Sequence, residues 1–360
     1  MKPIDPSQYD RQLEAKLNRF IEQFSEFAMP EIDVFASQPL NFRMRAEFRI
    51  WHENGQENYA MNHPGEKRPY IIKDFPIGST LINQLMPQLL EIINRNNHLS
   101  HRLFSMEFLT TLSGEVLVTL IYHRPLDNAW ETAAREIQKA LKISIIGRSR
   151  KQKMVLERDY VTEQLTVDGK SYRYQQIENG FTQPNARVNE KMLAWAKECT
   201  KTSDGDLLEL YCGNGNFTAV LAENFRQVLA TEISKISVKS ANLNFKANHI
   251  DNVTVVRMSS EEFTQALNKE RPFRRLKDID LDSYRFSTVF VDPPRSGLDS
   301  ETEKLVSNFD HILYISCNPD TLKNNLYKIT KTHHIRKAAI FDQFPWTDHL
   351  ESGVFLSKKR

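Results

Sequence analysis

Cysteine is scarce in this sequence: its 360 residues hold three, Cys199, Cys212 and Cys317, far apart and with no Cys-x-x-Cys pair. That spacing offers no cysteine cage for zinc or an iron–sulphur cluster, and leaves thiol chemistry to one sulphur at a time. Long apolar runs are missing too, none approaching the roughly 18 residues of a membrane span. The opening Met1-Lys2-Pro3-Ile4-Asp5 lacks the charged-then-apolar layout of a secretory leader. The expectation is a soluble, cytoplasmic protein with no metal and no membrane contact. Glycine and proline, 12 and 15 residues, are too few for a collagen-like or low-complexity chain. An excess of one charge is also absent, since 48 basic and 46 acidic residues leave +2. A nucleic-acid partner must therefore be argued from where the charges lie.

At roughly 150 residues per domain, the length predicts two domains. In the first half, Leu13, Leu17, Phe20, Ile21 and Phe24 recur at helical spacing and predict an amphipathic helix from Gln12 to Phe27, ended by Met29-Pro30. From Phe42 to Trp51 the residues alternate. Phe42, Met44, Ala46, Phe48 and Ile50 share one face of a strand, and Arg43, Arg45, Glu47, Arg49 and Trp51 the other. Glu107–Thr111 and Glu115–His123 predict a hairpin, with another around Asp168-Gly169. Gly147 to Lys153 packs four cations into seven residues and reads as an exposed basic loop.

Beyond about residue 178 short apolar runs alternate with helical segments, the pattern of a parallel sheet with crossover helices. Seven strands are expected, at Leu207–Tyr211, Val228–Thr231, Val253–Arg257, Thr288–Val291, Ile312–Ser316, Ala338–Phe341 and Val354–Leu356.

Chemistry concentrates at the carboxyl ends of these strands. Glu209-Leu210-Tyr211-Cys212-Gly213-Asn214-Gly215-Asn216-Phe217 is a strand running into a glycine turn and a helix, where a ligand can approach backbone closely. Glu232 ends the next strand, near the spacing of roughly 20 residues at which an acid meets ribose hydroxyls. Thr218 stands where a dinucleotide fingerprint wants its third glycine, which favours an adenosyl ligand without a pyrophosphate. Asp292-Pro293-Pro294-Arg295-Ser296-Gly297 ends the fourth strand with a carboxylate and a stiffened backbone. Ser316-Cys317-Asn318-Pro319 brings a thiol to the same edge, and Asp348, His349 or Glu351 could serve as a base.

These segments, with Phe181-Thr182-Gln183-Pro184-Asn185, resemble in kind and order the motifs of the RNA 5-methyluridine methyltransferase family, which uses S-adenosylmethionine. The resemblance is densest from 178 to 356. It implies an α/β fold: a Rossmann-like, doubly wound methyltransferase domain over 179–360, preceded by a mixed α+β RNA-binding domain over 1–178. It implies that Gln183, Tyr211, Asn216, Glu232 and Asp292 contact S-adenosylmethionine, that Cys317 is the nucleophile, that Glu351 is the proton acceptor, and that Arg295 stabilises the target base. Some relatives hold an iron–sulphur cluster through N-terminal cysteines and carry an extra RNA-binding barrel. Here the first cysteine is Cys199, which favours the tRNA branch. The implied partner is the T-arm of tRNA, with uridine 54 as the target, and the T-like loop of transfer-messenger RNA (tmRNA) as a further substrate. No obligate protein partner is implied.

Carbon 5 of uracil is a poor nucleophile, and a thiolate adding at carbon 6 would turn it into an enolate able to take a methyl group. Such chemistry needs a flipped base, held by RNA contacts. Arg43, Arg45, Arg49, Arg148, Arg150, Lys151 and Lys153 are candidates for phosphate contacts, and Phe104 or Phe108 for stacking on unpaired bases. A solvated charged face is the competing reading of these cations. Two other functions compete: an adenine amino-methyltransferase, disfavoured because Arg295 stands where that chemistry needs an aromatic, and a non-catalytic RNA-binding protein.

Overall fold

The computed structural model describes residues 4–62, 65 and 68–360; Met1, Lys2 and Pro3, read above for the absence of a leader, lie outside them. The chain forms two compact units, one built on 38–164 and 175–186, the other on 7–37, 165–174 and 187–360. The sequence suggested one cut near residue 178. The units are instead interleaved, because the N-terminal helix and strand, α1 (Tyr9–Gln23) and β1 (Ile32–Phe35), pack within the second unit.

The first unit contains a seven-stranded sheet, ordered β4-β3-β2-β5-β6-β7-β8. Its strands are β2 (Arg45–Glu53), β3 (Gln56–Met61), β4 (Tyr70–Ile71), β5 (Leu103–Thr110), β6 (Val116–Tyr122), β7 (Ser144–Ser149) and β8 (Gln152–Val155). Its helices are α2 (Thr80–Asn94), the single turn α3 (Asn97–Ser100) and α4 (Asn128–Leu141). The alternation in β2 has its expected result: Ala46, Phe48 and Ile50 are buried against Leu85, Met86 and Leu89 of α2 and the rest of one apolar core. Phe108 is wholly buried in that core, which removes it as a base-stacking residue. The basic loop is also corrected: β7 and β8 pair antiparallel with Arg150-Lys151 at the turn. A further hairpin, β9 (Tyr160–Val167) and β10 (Lys170–Ile177), turns at Asp168-Gly169, both with positive φ, as the sequence predicts.

The second unit has an eight-stranded sheet, ordered β1-β16-β17-β15-β14-β11-β12-β13. After α5 (Ala186–Thr200) come β11 (Asp206–Leu210), α6 (Thr218–Leu221), β12 (Val228–Thr231), α7 (Lys235–Ala247), β13 (Val253–Val256) and α8 (Ser260–Leu267). The remainder is β14 (Phe286–Val291), α9 (Ser300–Val306), β15 (His311–Ser316), α10 (Pro319–Ile329), β16 (His333–Phe341) and β17 (Glu351–Lys358). All seven expected strands are present, and β1 adds an eighth, parallel to β16. Only β17 runs antiparallel to its neighbours. Because β11 lies between β12 and β14, the sheet reverses direction of growth there, and such a switch point opens a crevice at the carboxyl ends of the strands.

Candidate active site

The register of the second sheet explains which side chains meet. Leu210 is level with Thr231 on one side and Val291 on the other, so the next residues, Tyr211, Glu232 and Asp292, leave three adjacent strand ends together. Val291 is level with Tyr314, and Ser316 faces Ser352. One step beyond that last pair stand Cys317 and Glu351. A buried sheet edge thus gathers residues far apart in the chain.

The glycine turn is held from several sides. Glu232 accepts hydrogen bonds from the Gly213 amide at 3.0 Å and the Ser234 amide at 2.6 Å. Asn244 donates to the Asn214 carbonyl at 2.9 Å, and the Tyr174 hydroxyl to the Asn216 carbonyl at 2.9 Å. The side-chain amides of Asn216 and Asn189 exchange two hydrogen bonds, each 2.9 Å. Asn189, Tyr174 and Asn244 were not singled out in the sequence, since no motif marks a residue that reaches the turn from another element. Tyr211 adopts φ +63°, a left-handed conformation that is costly for a bulky residue, and its hydroxyl pairs with Ser260 at 2.7 Å. At Gly215, with φ +80°, a β-carbon would lie 2.6 Å from the Phe245 ring. At Gly213 the corresponding space is open.

These residues suit an adenosyl group bearing positive charge. Glu232 keeps acceptor capacity for ribose hydroxyls beyond its two backbone bonds. Ile233, next in the chain, is 67% exposed and offers an apolar face for a purine ring. Burial pushes the Asp292 carboxyl up to about 7. Glu209 is also driven up, to about 8, by burial, and its Oε2 has no hydrogen-bond partner. A neighbouring cation would favour the ionised form of each. Gln183 belongs to the other compact unit; its Oε1 is shut from solvent without a hydrogen-bond partner.

Cys317 is half-buried and opens on a cavity of about 360 Å³, whose lining includes Arg295, Asn318, His349 and Leu350. Burial, Glu351 and Asp292 together push its thiol up to about 11, and Arg295 opposes them. Burial and Asp292 raise Glu351 to about 8, again against Arg295. Of the three candidate bases, Glu351 is buried, whereas Asp348 and His349 are exposed. The Asn318 side chain donates to the Arg295 carbonyl at 3.0 Å and ties the two loops together. A β-carbon at Gly297 would meet Asn325 Oδ1 at 2.8 Å, so the loop that carries Arg295 can close only on glycine.

The arginine-rich face of β2 divides. Arg43 is shielded, with its Nε donating to the Arg45 carbonyl. Arg45 binds the carbonyls of Gly180 and Glu178 and lies 3.7 Å from Glu107. Arg148 makes two hydrogen bonds to the buried Glu178 carboxylate, at 2.5 and 2.7 Å, and Lys153 lies 3.1 Å from it. Each of these cations already has a carbonyl or carboxylate partner within the unit, an arrangement that favours the competing reading of a structural charged face over phosphate contact. Arg49 and Phe104 are placed differently. With Trp51, His52, Arg102 and His123 they line a surface cavity of about 440 Å³. Phe104 stacks on His123 at 4.1 Å, and the Arg49 guanidinium lies over the Trp51 and Phe104 rings at 5.9 and 5.7 Å. Arg150 and Lys151 stay at the β7–β8 turn, Lys151 with φ +58°.

Among the described residues, no group of three or more His, Cys, Asp or Glu side chains could hold a metal ion. Among them also, no helix is long and apolar enough to cross a membrane.

Comparison with known proteins adds an independent line. The family described as tRNA (Uracil-5-)-methyltransferase is matched over residues 8–359. The chain is similar to the tRNA/tmRNA (uracil-C(5))-methyltransferase of Cellvibrio japonicus, 58% identical over 351 residues, covering 98% of this chain and 96% of that one. The protein of the same name from Saccharophagus degradans is 56% identical over 357 residues, covering 99% and 98%. Among solved structures, Pyrococcus abyssi tRNA (uracil-54, C5)-methyltransferase in complex with S-adenosyl-L-homocysteine matches with a TM-score of 0.71. That match covers 97% of this chain and 83% of the other at 20% identity, and shows a shared fold.

Proposed function

Because the chain belongs to the tRNA (uracil-5-)-methyltransferase family and is an enzyme of that family, we propose that it methylates carbon 5 of uridine 54 in the T-loop of tRNA. We extend the proposal to the T-like loop of tmRNA, and to a cytoplasmic setting in which both RNAs are reached. The observation that carries it is the meeting of Cys317 and Glu351 one step beyond the Ser316–Ser352 pair, with Asp292 and Arg295 near enough to shift the ionisation of both.

Within the second unit Tyr211, Asn216, Glu232 and Asp292 would hold the cofactor, Asn216 with its amide oriented by Asn189; the family resemblance assigns Gln183 the same role. When bound, S-adenosylmethionine supplies an electrophilic methyl group for carbon 5 and a positive charge that favours ionised Asp292, Glu351 and Cys317. Cys317 Sγ adds to carbon 6 of the flipped uracil, and the ring's electron pair moves toward carbon 5. Arg295 counters the crowding of negative charge as the thiolate forms. After carbon 5 is methylated, Glu351 takes its proton. The electrons of that C–H bond restore the ring double bond, and the carbon–sulphur bond breaks to return the thiolate.

The cavity formed by Arg49, Trp51, Phe104 and His123 supports an RNA-contacting role for the first unit, with rings for unpaired bases and a guanidinium for phosphate. The exposed Arg150 and Lys151 are the remaining basic candidates.

The test is Glu351→Gln with tRNA and S-adenosylmethionine. Addition and methyl transfer proceed but elimination stalls, so a covalent protein–RNA species collects on denaturing gels. Turnover at the parental rate without that species would overturn the role given to Glu351. Parental turnover by Cys317→Ala would overturn the nucleophile.

A further inference from the structure

The N-terminal helix carries a row of polar side chains turned to one loop. Lys16, 2% exposed, places its ammonium 2.6 Å from Asp342 Oδ1 and donates to the carbonyls of Phe344 at 2.9 Å and His349 at 3.0 Å. All three of its protons are therefore engaged, and they join both ends of the 342–349 loop between β16 and β17. The other Asp342 oxygen accepts from the Tyr9 hydroxyl and from Gln12 Nε2, both at 2.9 Å. The Tyr9 hydroxyl also accepts from the Ser37 amide at 2.7 Å, which ties the network to the segment just after β1.

The loop does not rest in a relaxed conformation. Trp346 has φ +66°, its amide donates to Gln12 Oε1 at 3.1 Å, and its ring meets Tyr9 edge-on at 5.9 Å. A bulky residue holds that backbone geometry only where its surroundings impose it. At the far end Arg19 pairs with Asp348 at 2.9 Å. Tyr9, Gln12, Lys16 and Arg19 follow one another at three- and four-residue steps, the spacing of a single helix face. The loop they hold runs directly into Leu350 and Glu351, and Lys16 and His349 line the cavity onto which Cys317 opens.

We propose that α1 is a positioning element of the active site, with Lys16 as its centre. By clamping both ends of the 342–349 loop it fixes where Glu351 stands relative to the Cys317 adduct, and so governs elimination more than addition. Lys16 touches neither reacting atom and acts through the loop. The inference rests on the reading of Glu351 as proton acceptor. The physical reason for a clamp is steep distance dependence: proton removal from carbon requires the carboxylate at contact distance, whereas a free loop would sample many positions. A buried ammonium bound to two carbonyls and a carboxylate holds three points with one group.

The test uses Lys16→Met in the full chain, with Glu351→Gln beside it. Amide hydrogen exchange of residues 343–350 is measured without RNA and should rise about tenfold or more, while exchange in β14 and β15 stays at parental rates. With tRNA and S-adenosylmethionine, covalent addition should proceed within about twofold of parent, and release of the adduct should slow by about tenfold or more. Unchanged exchange in 343–350 overturns the clamp, and so does a parallel fall of addition and release, which marks general destabilisation. If Glu351→Gln forms no lasting adduct, the reading of Glu351 fails, while the exchange result still judges the clamp. Should Lys16→Met not fold, Gln12→Leu removes the Trp346 contact and one donor to Asp342 while leaving the Lys16–Asp342 pair in place. It should loosen the same segment and slow the same step to a smaller degree, and parental values of both would overturn the proposal.

Discussion

Ser316 faces Ser352 across antiparallel strands, and the next residue on each toward the strand ends is Cys317 on one and Glu351 on the other. A thiol and a carboxyl separated by 34 positions in the sequence thereby share one partly desolvated edge. The same placement puts each group off its ordinary protonation.

This arrangement predicts an unusual pH profile for the free protein. Burial and two neighbouring acids disfavour the thiolate, so iodoacetamide alkylation of Cys317, followed by peptide mass spectrometry, should have its midpoint near 11. An unperturbed thiol would titrate at about 8.5. At such pH Glu351 is ionised, so Glu351→Gln removes a negative neighbour and should lower the midpoint. Arg295→Ala removes an opposing cation and should raise it. Cys199 and Cys212 are buried, with Cys199 held up to about 12, and contribute little. A parental midpoint near that of a free thiol would refute the account.

In the first unit, Arg148 should matter for folding rather than RNA affinity. Its guanidinium and Lys153 face the Glu178 carboxylate, which is 2% exposed. Removing Arg148 takes two charge-assisted hydrogen bonds from the buried carboxylate and leaves Lys153 as its remaining cation, so Arg148→Ala should cost about 1.5–3 kcal/mol in urea unfolding. Arg148→Ala/Glu178→Leu should recover part of that loss. Parental stability of Arg148→Ala, with weakened RNA binding, would restore the phosphate-contact reading.

Phe104 makes the opposite case. It is exposed at 36% and rests on His123, so truncation leaves no core cavity. Phe104→Ala should leave the unfolding midpoint in place and weaken tRNA binding by about 1–3 kcal/mol, the usual worth of one stacked base. Because no charge is lost, the salt dependence of binding should keep its slope, whereas Arg49→Gln should reduce it by about one. Filter binding at several salt concentrations separates the two.

What the sequence determined by itself was the set of local patterns: alternation in β2, apolar runs of the parallel strands, the glycine turn, and acids or a thiol at strand ends. Those are set by neighbours within a few residues, and the sheet register turns them directly into a shared edge. The fates of Arg43, Arg45 and Arg148 were not legible, because a cation facing solvent and a cation facing a buried carboxylate have the same local sequence. The partner here, Glu178, is 30 positions from Arg148. Phe104 and Phe108, four positions apart, would share one face of a regular strand; the register irregularity between Leu103 and Ser105 falls at Phe104 and leaves it exposed while Phe108 is buried. The N-terminal helix is amphipathic as its spacing predicts, but it spans Tyr9–Gln23 rather than Gln12–Phe27 and leaves Ile21 exposed, and its polar face acquires a purpose only on packing. Lys16 and Asp342 lie 326 positions apart, and only the folded chain brings this buried ammonium to a buried carboxylate.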